Sequence, residues 1–244
     1  MASKHSSRGL VDVSVIMPAY NEEKYLEECF FRVVKVLKDY GRSFEVILEE
    51  DGSTDRTPQI MDRLARDYPM VRVLHFPKRM GKGFGIKKCL KISRGRRIVL
   101  IDSDMEYPPE RIVDLLNELD RADIAIGGRI YADHYKTKVL RYLASRIYGL
   151  ILRTLFGIEK LYDPQSGLKA YRREVIEDVS PLISNGFEID TEILLKAVKK
   201  GYRIGYISIK YRYKGNSKVN IFKDSLKMFI SILKWRIKWF SEGG

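Results

Sequence analysis

Short apolar runs alternate with longer amphipathic segments through the first half of the chain. Val13–Met17, Phe44–Leu48 and Ile98–Ile101 are rich in valine, isoleucine and leucine and end in polar or turn-forming residues, which is typical of buried parallel strands. Val71–Leu74 and Ile124–Ile126 are further candidates. The segments between them have helical periodicity and cover Glu22–Tyr40, Arg56–Asp67, Lys82–Ser93 and Glu110–Asp120. This alternation predicts an α/β fold with a doubly wound, mostly parallel sheet.

Polar clusters directly follow three of the predicted strands. The carboxyl ends of parallel strands meet at one edge of a sheet, and ligands bind there, so the clusters predict a cleft lined by acidic and turn-forming residues. Their members are Pro18, Ala19, Tyr20, Asn21 and Glu22; Glu50, Asp51, Gly52, Ser53, Thr54 and Asp55; and Asp102, Ser103, Asp104, Met105 and Glu106.

The third cluster has the composition of a site for a hard divalent cation. Asp102 and Asp104 flank Ser103 directly after a buried strand. Carboxylates in this spacing can hold Mg²⁺ or Mn²⁺, which would bridge to a diphosphate. Glu106 is a candidate third oxygen ligand. For an isolated pair of this kind a solvated turn is the more common explanation, but the second acidic cluster at Asp51 favours the metal.

Asp51 and a glycine-rich segment are candidates for contacts to a nucleotide. A carboxylate at Asp51 can accept hydrogen bonds from a base edge or a ribose hydroxyl, while Gly52 lets the backbone turn sharply. Lys82 lies between glycines at the start of a predicted helix, where a phosphate group can bind. The segment lacks the spacing of a Walker A loop and of a dinucleotide fingerprint, so neither of those functions is favoured.

The charge of the chain favours an anionic partner. Lys and Arg total 45 against 32 Asp and Glu, which gives a net charge of +13. Nucleic acid, an anionic membrane and phosphorylated substrates all fit this excess. A nucleic-acid-binding protein is the alternative from another class, and the acidic clusters count against it because they would repel a phosphate backbone.

The combined motifs resemble the family 2 glycosyltransferases with the GT-A fold. The resemblance covers roughly residues 11–240 and rests on the first and third clusters, on Asp51–Asp55 and on Gly81-Lys82-Gly83. It implies an enzyme that uses Mg²⁺ or Mn²⁺ and a nucleotide sugar. Carried over to this sequence, it assigns metal binding to Asp102, Asp104 and Glu106, and donor binding to Pro18, Ala19, Tyr20, Asn21, Glu22, Asp51, Lys82, Asp102, Ser103, Asp163 and Gln165.

The second half of the chain resembles the dolichyl-phosphate hexosyltransferases. Ser166-Gly167 and Ala170-Tyr171-Arg172 are similar to the mannose synthases, which implies GDP-mannose as donor. Gln165, Lys169 and the segment 215–220 are similar to the glucosyltransferases, which implies UDP-glucose. We expect mannose slightly more than glucose. A Gln-x-x-Arg-Trp motif of processive relatives is missing, which favours transfer of a single sugar.

The resemblance further implies an inverting transfer to a polyprenyl or dolichyl phosphate. A phosphate acceptor is ionised at neutral pH and needs cationic steering rather than a general base. Catalytic roles fall to Asp104, Arg129, Arg141 and Lys218, and the acceptor phosphate to Arg129, Arg141, Ser145 and Lys218. If the acceptor were instead a hydroxyl of a glycan or small molecule, Glu188, Asp190 or Glu192 could act as the base.

Two basic amphipathic segments predict contact with a membrane surface. In 225–240 polar residues form one stripe and the rest is almost entirely apolar, with Trp235 and Trp239, which is typical of a helix lying in a membrane interface. Residues 139–156 are similar. We expect a catalytic domain over 11–220 and an interfacial helix over 221–244, peripheral to the cytoplasmic side of the membrane or anchored by a segment outside this chain. A helix packed on the domain is the alternative.

Overall fold

The computed structural model describes residues 10–131, 147–158, 161–211, 230–233 and 235. Three predicted acceptor-phosphate residues, Arg141, Ser145 and Lys218, lie outside the described residues, as does most of the predicted C-terminal helix. Their assignments stay predictions. So does the division of the chain at residue 220.

A seven-stranded sheet in the order β3-β2-β1-β4-β6-β5-β7 forms the centre of the protein. All of its strands except β6 run parallel, which confirms the predicted α/β fold with a mostly parallel sheet. Strands predicted from the apolar runs are all present and extend a few residues further. The strands are β1 Val11–Ala19, β2 Phe44–Asp51, β3 Val71–Phe76, β4 Gly95–Ile101, β5 Ile124–Tyr131, β6 Leu168–Arg172 and β7 Ile204–Tyr211.

Helices cover both faces of the sheet, as expected for a doubly wound fold. One buried cluster packs α1, α2 and α4 on one face, and a second packs α3, α5, α6 and α7 on the other. Both cysteines, Cys29 and Cys89, are buried in these clusters as free thiols. The helices are α1 Leu26–Tyr40, α2 Thr57–Asp67, α3 Lys82–Ile92, α4 Ile112–Glu118, α5 with helical residues 147–156, α6 Arg173–Asp178 and α7 Ile189–Lys199.

The described residues of the C-terminal segment are helical and contact the core. Ile232 is fully buried and Trp235 packs against the same cluster, so this part of the segment docks on the domain. Ile230 and Leu233 remain exposed. Within the described ranges, no helix combines the length and the apolar character needed to cross a bilayer.

Candidate active site

The loops after β1 and β2 are joined by hydrogen bonds at the carboxyl edge of the sheet. The N–H of Asn21 donates to Oγ of Ser53 at 2.9 Å, and Oδ1 of Asn21 accepts from the N–H of Thr54 at 2.7 Å. The N–H of Glu22 donates to Oγ1 of Thr57 at 2.8 Å. These bonds hold Asn21 and Glu22 in the loop after β1. A turn over 23–25 follows, and α1 begins at Leu26 rather than at the predicted Glu22.

Asp51 anchors the loop that follows β3. Its carboxylate accepts the N–H of Met80 at 2.5 Å and the N–H of Gly81 at 3.0 Å. The sequence predicted a contact between Asp51 and the nucleobase or ribose. That contact stays a prediction, and the structure adds a second role because both oxygens fasten the start of α3 beside β2.

The glycines around Lys82 are explained by close packing. A Cβ at Gly81 or Gly83 would overlap the backbone of Asn185, and a Cβ at Gly85 would overlap the carboxyl group of Glu49. Gly81 also has a φ of 102°, a conformation that favours glycine. Gly81 and Gly83 therefore let the start of α3 approach the loop before α7, and Gly85 lets it approach β2, with or without a phosphate.

Asp102, Ser103 and Asp104 follow β4 and face different surroundings. The hydroxyl of buried Ser103 donates to the carbonyl of Pro18 at 3.0 Å and so ties the ends of β4 and β1 together. Asp102 is fixed by its N–H, which donates to the carbonyl of Gly167 at 2.9 Å. Asp102 and Asp104 are both half-buried, whereas Ser103 points into the protein.

Asp104 lies in a crowded, negatively charged position. Burial raises its pKa to about 8, and the negative charges of Asp102 and Glu106 act in the same direction. Oδ1 of Asp104 accepts the N–H of Glu106 at 2.9 Å. The intervening Met105 has a φ of 60°, which is uncommon for a residue with a side chain. Carboxylates held this close together favour a cation between them.

The donor set fits a divalent cation that shares its ligands with a substrate. Among the residues that the structure describes, no three acidic, histidine or cysteine side chains converge as a complete metal site. Mg²⁺, however, is commonly held by one or two carboxylates together with substrate phosphates and water. Asp102 and Asp104 supply such a pair. The predicted role of Glu106 as a third ligand stays a prediction.

Lys82 joins the aspartate pair to a buried network of charges. Its Nζ lies 2.8 Å from Oδ1 of Asp102 and 3.6 Å from Oδ2 of Asp190. Asp190 also pairs with Lys169, whose Nζ lies 2.8 Å from Oδ1 and contacts the carbonyl of Ser166. Burial raises the pKa of Asp190, but the positive charges of Lys169 and Lys82 outweigh this effect and hold the pKa below its usual range. Asp190 is therefore a weak proton acceptor in this arrangement.

The two other acids of this segment are also engaged. Glu188 accepts the N–H of Gly186 at 3.1 Å. Glu192 is almost fully buried and accepts the N–H groups of Ile183 and Ser184 at 2.9 and 2.8 Å. Each of these carboxylates thus has a structural partner in the loop before α7.

Arg129 and Asp163 form a paired unit at the start of the second half of the site. Nε of Arg129 donates to Oδ2 of Asp163 at 2.8 Å, and a second guanidinium nitrogen contacts Oδ1. The backbone N–H of Arg129 also donates to Oδ2, at 3.0 Å. Nearby in sequence, Nε2 of Gln165 donates to Oγ1 of Thr191 at 2.7 Å. Their predicted contacts to acceptor and donor stay predictions.

One contact of Tyr20 was not expected from the sequence. The guanidinium carbon of Arg79 lies 4.4 Å from the centre of the Tyr20 ring, close enough for a cation–π interaction. Arg79 belongs to the loop fastened by Asp51. No spacing pattern linked it to Tyr20, because the contact depends on how the loop after β3 folds back.

Comparison with known proteins identifies the family. The model of the family described as Glycosyl transferase family 2 matches residues 14–180. The chain belongs to this family. The match covers the three polar clusters, the Lys82 segment and β6, so the predicted family and the GT-A fold are confirmed.

Curated relatives of this family 2 chain include lipid-phosphate sugar transferases. The chain is 33% identical to the glycosyltransferase AglD of Haloferax volcanii over 235 residues, covering 93% of this chain and 38% of that protein. It is 34% identical to the dolichol-phosphate mannosyltransferase of Pyrococcus furiosus over 231 residues, covering 91% and 64%. It is 26% identical to the dolichyl-phosphate beta-glucosyltransferase of Saccharomyces cerevisiae over 248 residues, covering 93% and 74%. The chain therefore spans well under two thirds of the first of these relatives.

Solved structures show the same fold. Glucosyl-3-phosphoglycerate synthase of Mycobacterium tuberculosis with phosphoglyceric acid has a TM-score of 0.71 at 22% identity, covering 93% of this chain and 80% of that one. The complex of the same synthase with Mn²⁺ and UDP-glucose has a TM-score of 0.70 at 23% identity, covering 93% and 79%. At this identity the likeness shows the fold alone.

Proposed function

We propose that this chain transfers one hexose, with inversion, from a nucleotide sugar to a polyprenyl or dolichyl phosphate at a membrane surface. The observation that carries the proposal is the state of the three acids before and within α7. Glu188, Asp190 and Glu192 each hold a structural partner. A hydroxyl acceptor needs a base, whereas a lipid phosphate is already ionised near pH 7.

On the donor side, the proposal places the nucleotide along the loops after β1, β2 and β3. Asp51, Tyr20 and Asn21 lie on these loops, which hydrogen bonds hold together. The diphosphate would lie near Asp102 and Asp104, with Lys82 beside them. Mg²⁺ or Mn²⁺ bound there would neutralise the negative charge that develops on the departing diphosphate.

On the acceptor side, the proposal assigns the phosphate to Arg129, Arg141, Ser145 and Lys218. Asp163 orients Arg129 by a bidentate ion pair, the geometry in which a guanidinium is most firmly held. Arg129 held in this way would contact the acceptor phosphate. Cationic residues on this side would draw an anionic acceptor towards a donor that is itself negative.

The sugar is assigned from resemblance rather than geometry. Relatives named as mannosyl and glucosyl transferases match the chain over more than nine tenths of its length. GDP-mannose and UDP-glucose are therefore both candidate donors, and we favour mannose because of Ser166-Gly167 and Ala170-Tyr171-Arg172.

Exposed apolar residues support contact with a membrane surface. Ile147 and Leu150 on α5 are 55% and 56% exposed, and Ile230 and Leu233 in the C-terminal segment are 44% and 43% exposed. Ile232 of the same segment is buried against the core that includes α5. A helix that docks by one side and presents leucine and isoleucine on another suits an interface with lipid.

The acceptor is tested with purified protein, Mn²⁺ and radiolabelled GDP-mannose or UDP-glucose. We expect label to enter the organic phase with polyprenyl phosphate and not with polyprenol of the same length. Glu188→Gln and Glu192→Gln should keep appreciable turnover, because neither side chain removes a proton. Label on polyprenol, or complete loss in Glu188→Gln with the fold preserved, would point to a hydroxyl acceptor instead.

A further inference from the structure

The ammonium group of Lys82 lies between two carboxylates of different parts of the fold. Asp102 follows β4 and lies 2.8 Å from Nζ, while Asp190 begins α7 and lies 3.6 Å from it. Lys169 occupies the other oxygen of Asp190 at 2.8 Å. The four groups alternate in charge and together are neutral.

This arrangement matters because Lys82 is poorly hydrated. Its side chain is 15% exposed, and those of Asp190 and Lys169 are 3% and 1% exposed. A buried ammonium group that loses its counter-ion is strongly destabilised. A cation that takes the oxygens of Asp102 therefore leaves Lys82 in need of another anion, and Oδ2 of Asp190 already lies 3.6 Å from its Nζ. A lysine side chain is flexible enough to shift by about 1 Å.

We propose that Asp190 is a positioning residue that receives the ammonium group of Lys82 when Asp102 binds the cation of the donor complex. Lys169 weakens the attraction between Asp190 and Lys82, because it pairs with the same carboxylate. The inference rests on the proposed function only in assigning Asp102 to the donor site. It is independent of the sugar and of the acceptor.

Three variants test the inference in a binding experiment with Mn²⁺ and either UDP or GDP, because it predicts lower nucleotide affinity for two of them and not for the third. In Asp190→Asn, Asp102 is the only carboxylate of this network left to pair with Lys82. Mn²⁺-dependent nucleotide affinity should then fall by about tenfold, a typical coupling between residues in contact within one ion-pair network. Lys169→Met frees Asp190 for Lys82, so affinity should be unchanged or higher. The double variant loses one negative and one positive charge, so its net charge is unchanged. It still lacks Asp190, so its affinity should be as low as that of Asp190→Asn.

A purely structural role for the network predicts a different pattern. Lys169→Met would then weaken binding as much as Asp190→Asn, or the double variant would return to wild-type affinity because its charge is balanced. Either result overturns the inference. If Asp190→Asn does not fold, the neutral double variant carries the same prediction, and its melting temperature shows that it is intact.

A second experiment needs no donor. In the crystal structure of Asp102→Ala, Nζ of Lys82 should move to within about 3 Å of Asp190, the distance of a hydrogen bond. A Lys82 side chain that keeps its position or turns towards solvent overturns the inference. Absence of Mn²⁺-dependent nucleotide binding by the wild-type protein would instead contradict the proposed function, and the Asp102→Ala structure would still decide the role of Asp190.

Discussion

Glu49 is a buried acid whose ionisation opposes folding. Its side chain is 1% exposed, and in the part of the chain that the structure describes its Oε1 has no hydrogen-bond partner. Burial raises the pKa of Glu49 from 4.5 to about 9, with the charges of Asp51 and Glu50 acting in the same direction. The folded state therefore keeps a proton that the unfolded chain releases above about pH 4.5, and stability falls as pH rises towards 9.

Replacement of Glu49 by glutamine removes this effect while preserving the shape of the side chain. Each pH unit above the ordinary pKa costs about 1.4 kcal/mol, so at pH 7 the wild-type protein is less stable by about 3 kcal/mol than it would be with a neutral group. This is a large fraction of the ~5–15 kcal/mol that stabilises a typical domain. We expect Glu49→Gln to be the more stable protein, and increasingly so as pH rises.

Urea unfolding between pH 5 and pH 8 measures the effect directly. The free energy of unfolding of Glu49→Gln minus that of wild type should grow by about 1.4 kcal/mol per pH unit. Taking the difference cancels the titrating groups that do not interact with Glu49. Glu177→Gln serves as the control, because the Glu177 side chain is 65% exposed. A difference that is constant with pH would show that Glu49 ionises normally in the folded protein and would refute the reasoning.

Two other changes test the metal and the membrane. Asp104→Ala should lower Mn²⁺-dependent nucleotide affinity by at least the ~10–100-fold that follows loss of a ligand's hydrogen-bond partner, with the melting temperature preserved; undiminished affinity in calorimetry would remove the cation from this position. Ile230→Ser with Leu233→Ser should weaken co-sedimentation with anionic and neutral vesicles alike, while Trp235→Ser should chiefly lower the melting temperature because that ring packs on the core. Negligible vesicle binding by the wild-type protein would end the interfacial interpretation.

The parallel strands could be predicted because they are buried on both faces. Val13–Met17 and Ile98–Ile101 consist almost wholly of apolar residues. Such strands can be recognised without knowledge of the rest of the fold. The sequence 168–172 gave no comparable signal, since it contains a lysine and an arginine. It forms β6 by pairing with β4 and β5, and Lys169 can be buried there because it pairs with Asp190, a residue that local spacing does not link to it.

The members of the site could be predicted better than their contacts. The acidic clusters after β1, β2 and β4 meet because neighbouring parallel strands end at one edge. Local spacing does not show that Asp51 accepts a hydrogen bond from Gly81 or that Lys82 forms an ion pair with Asp102. Both contacts depend on the position of α3 against the loop before α7, which is a property of the whole packed domain.

The reversed direction of β6 makes the two halves of this protein depend on each other. Because β6 is inserted between β4 and β5 and runs against both, its first residues lie at the edge where β4 ends. Gly167, just before β6, accepts the N–H of Asp102. The half that would recognise the acceptor therefore contributes a backbone contact that holds Asp102 in place. Exchanging that half between relatives, to change acceptor specificity, would also alter the proposed donor site. Chimaeras joined between β5 and β6 should therefore lose nucleotide binding together with transfer to the acceptor.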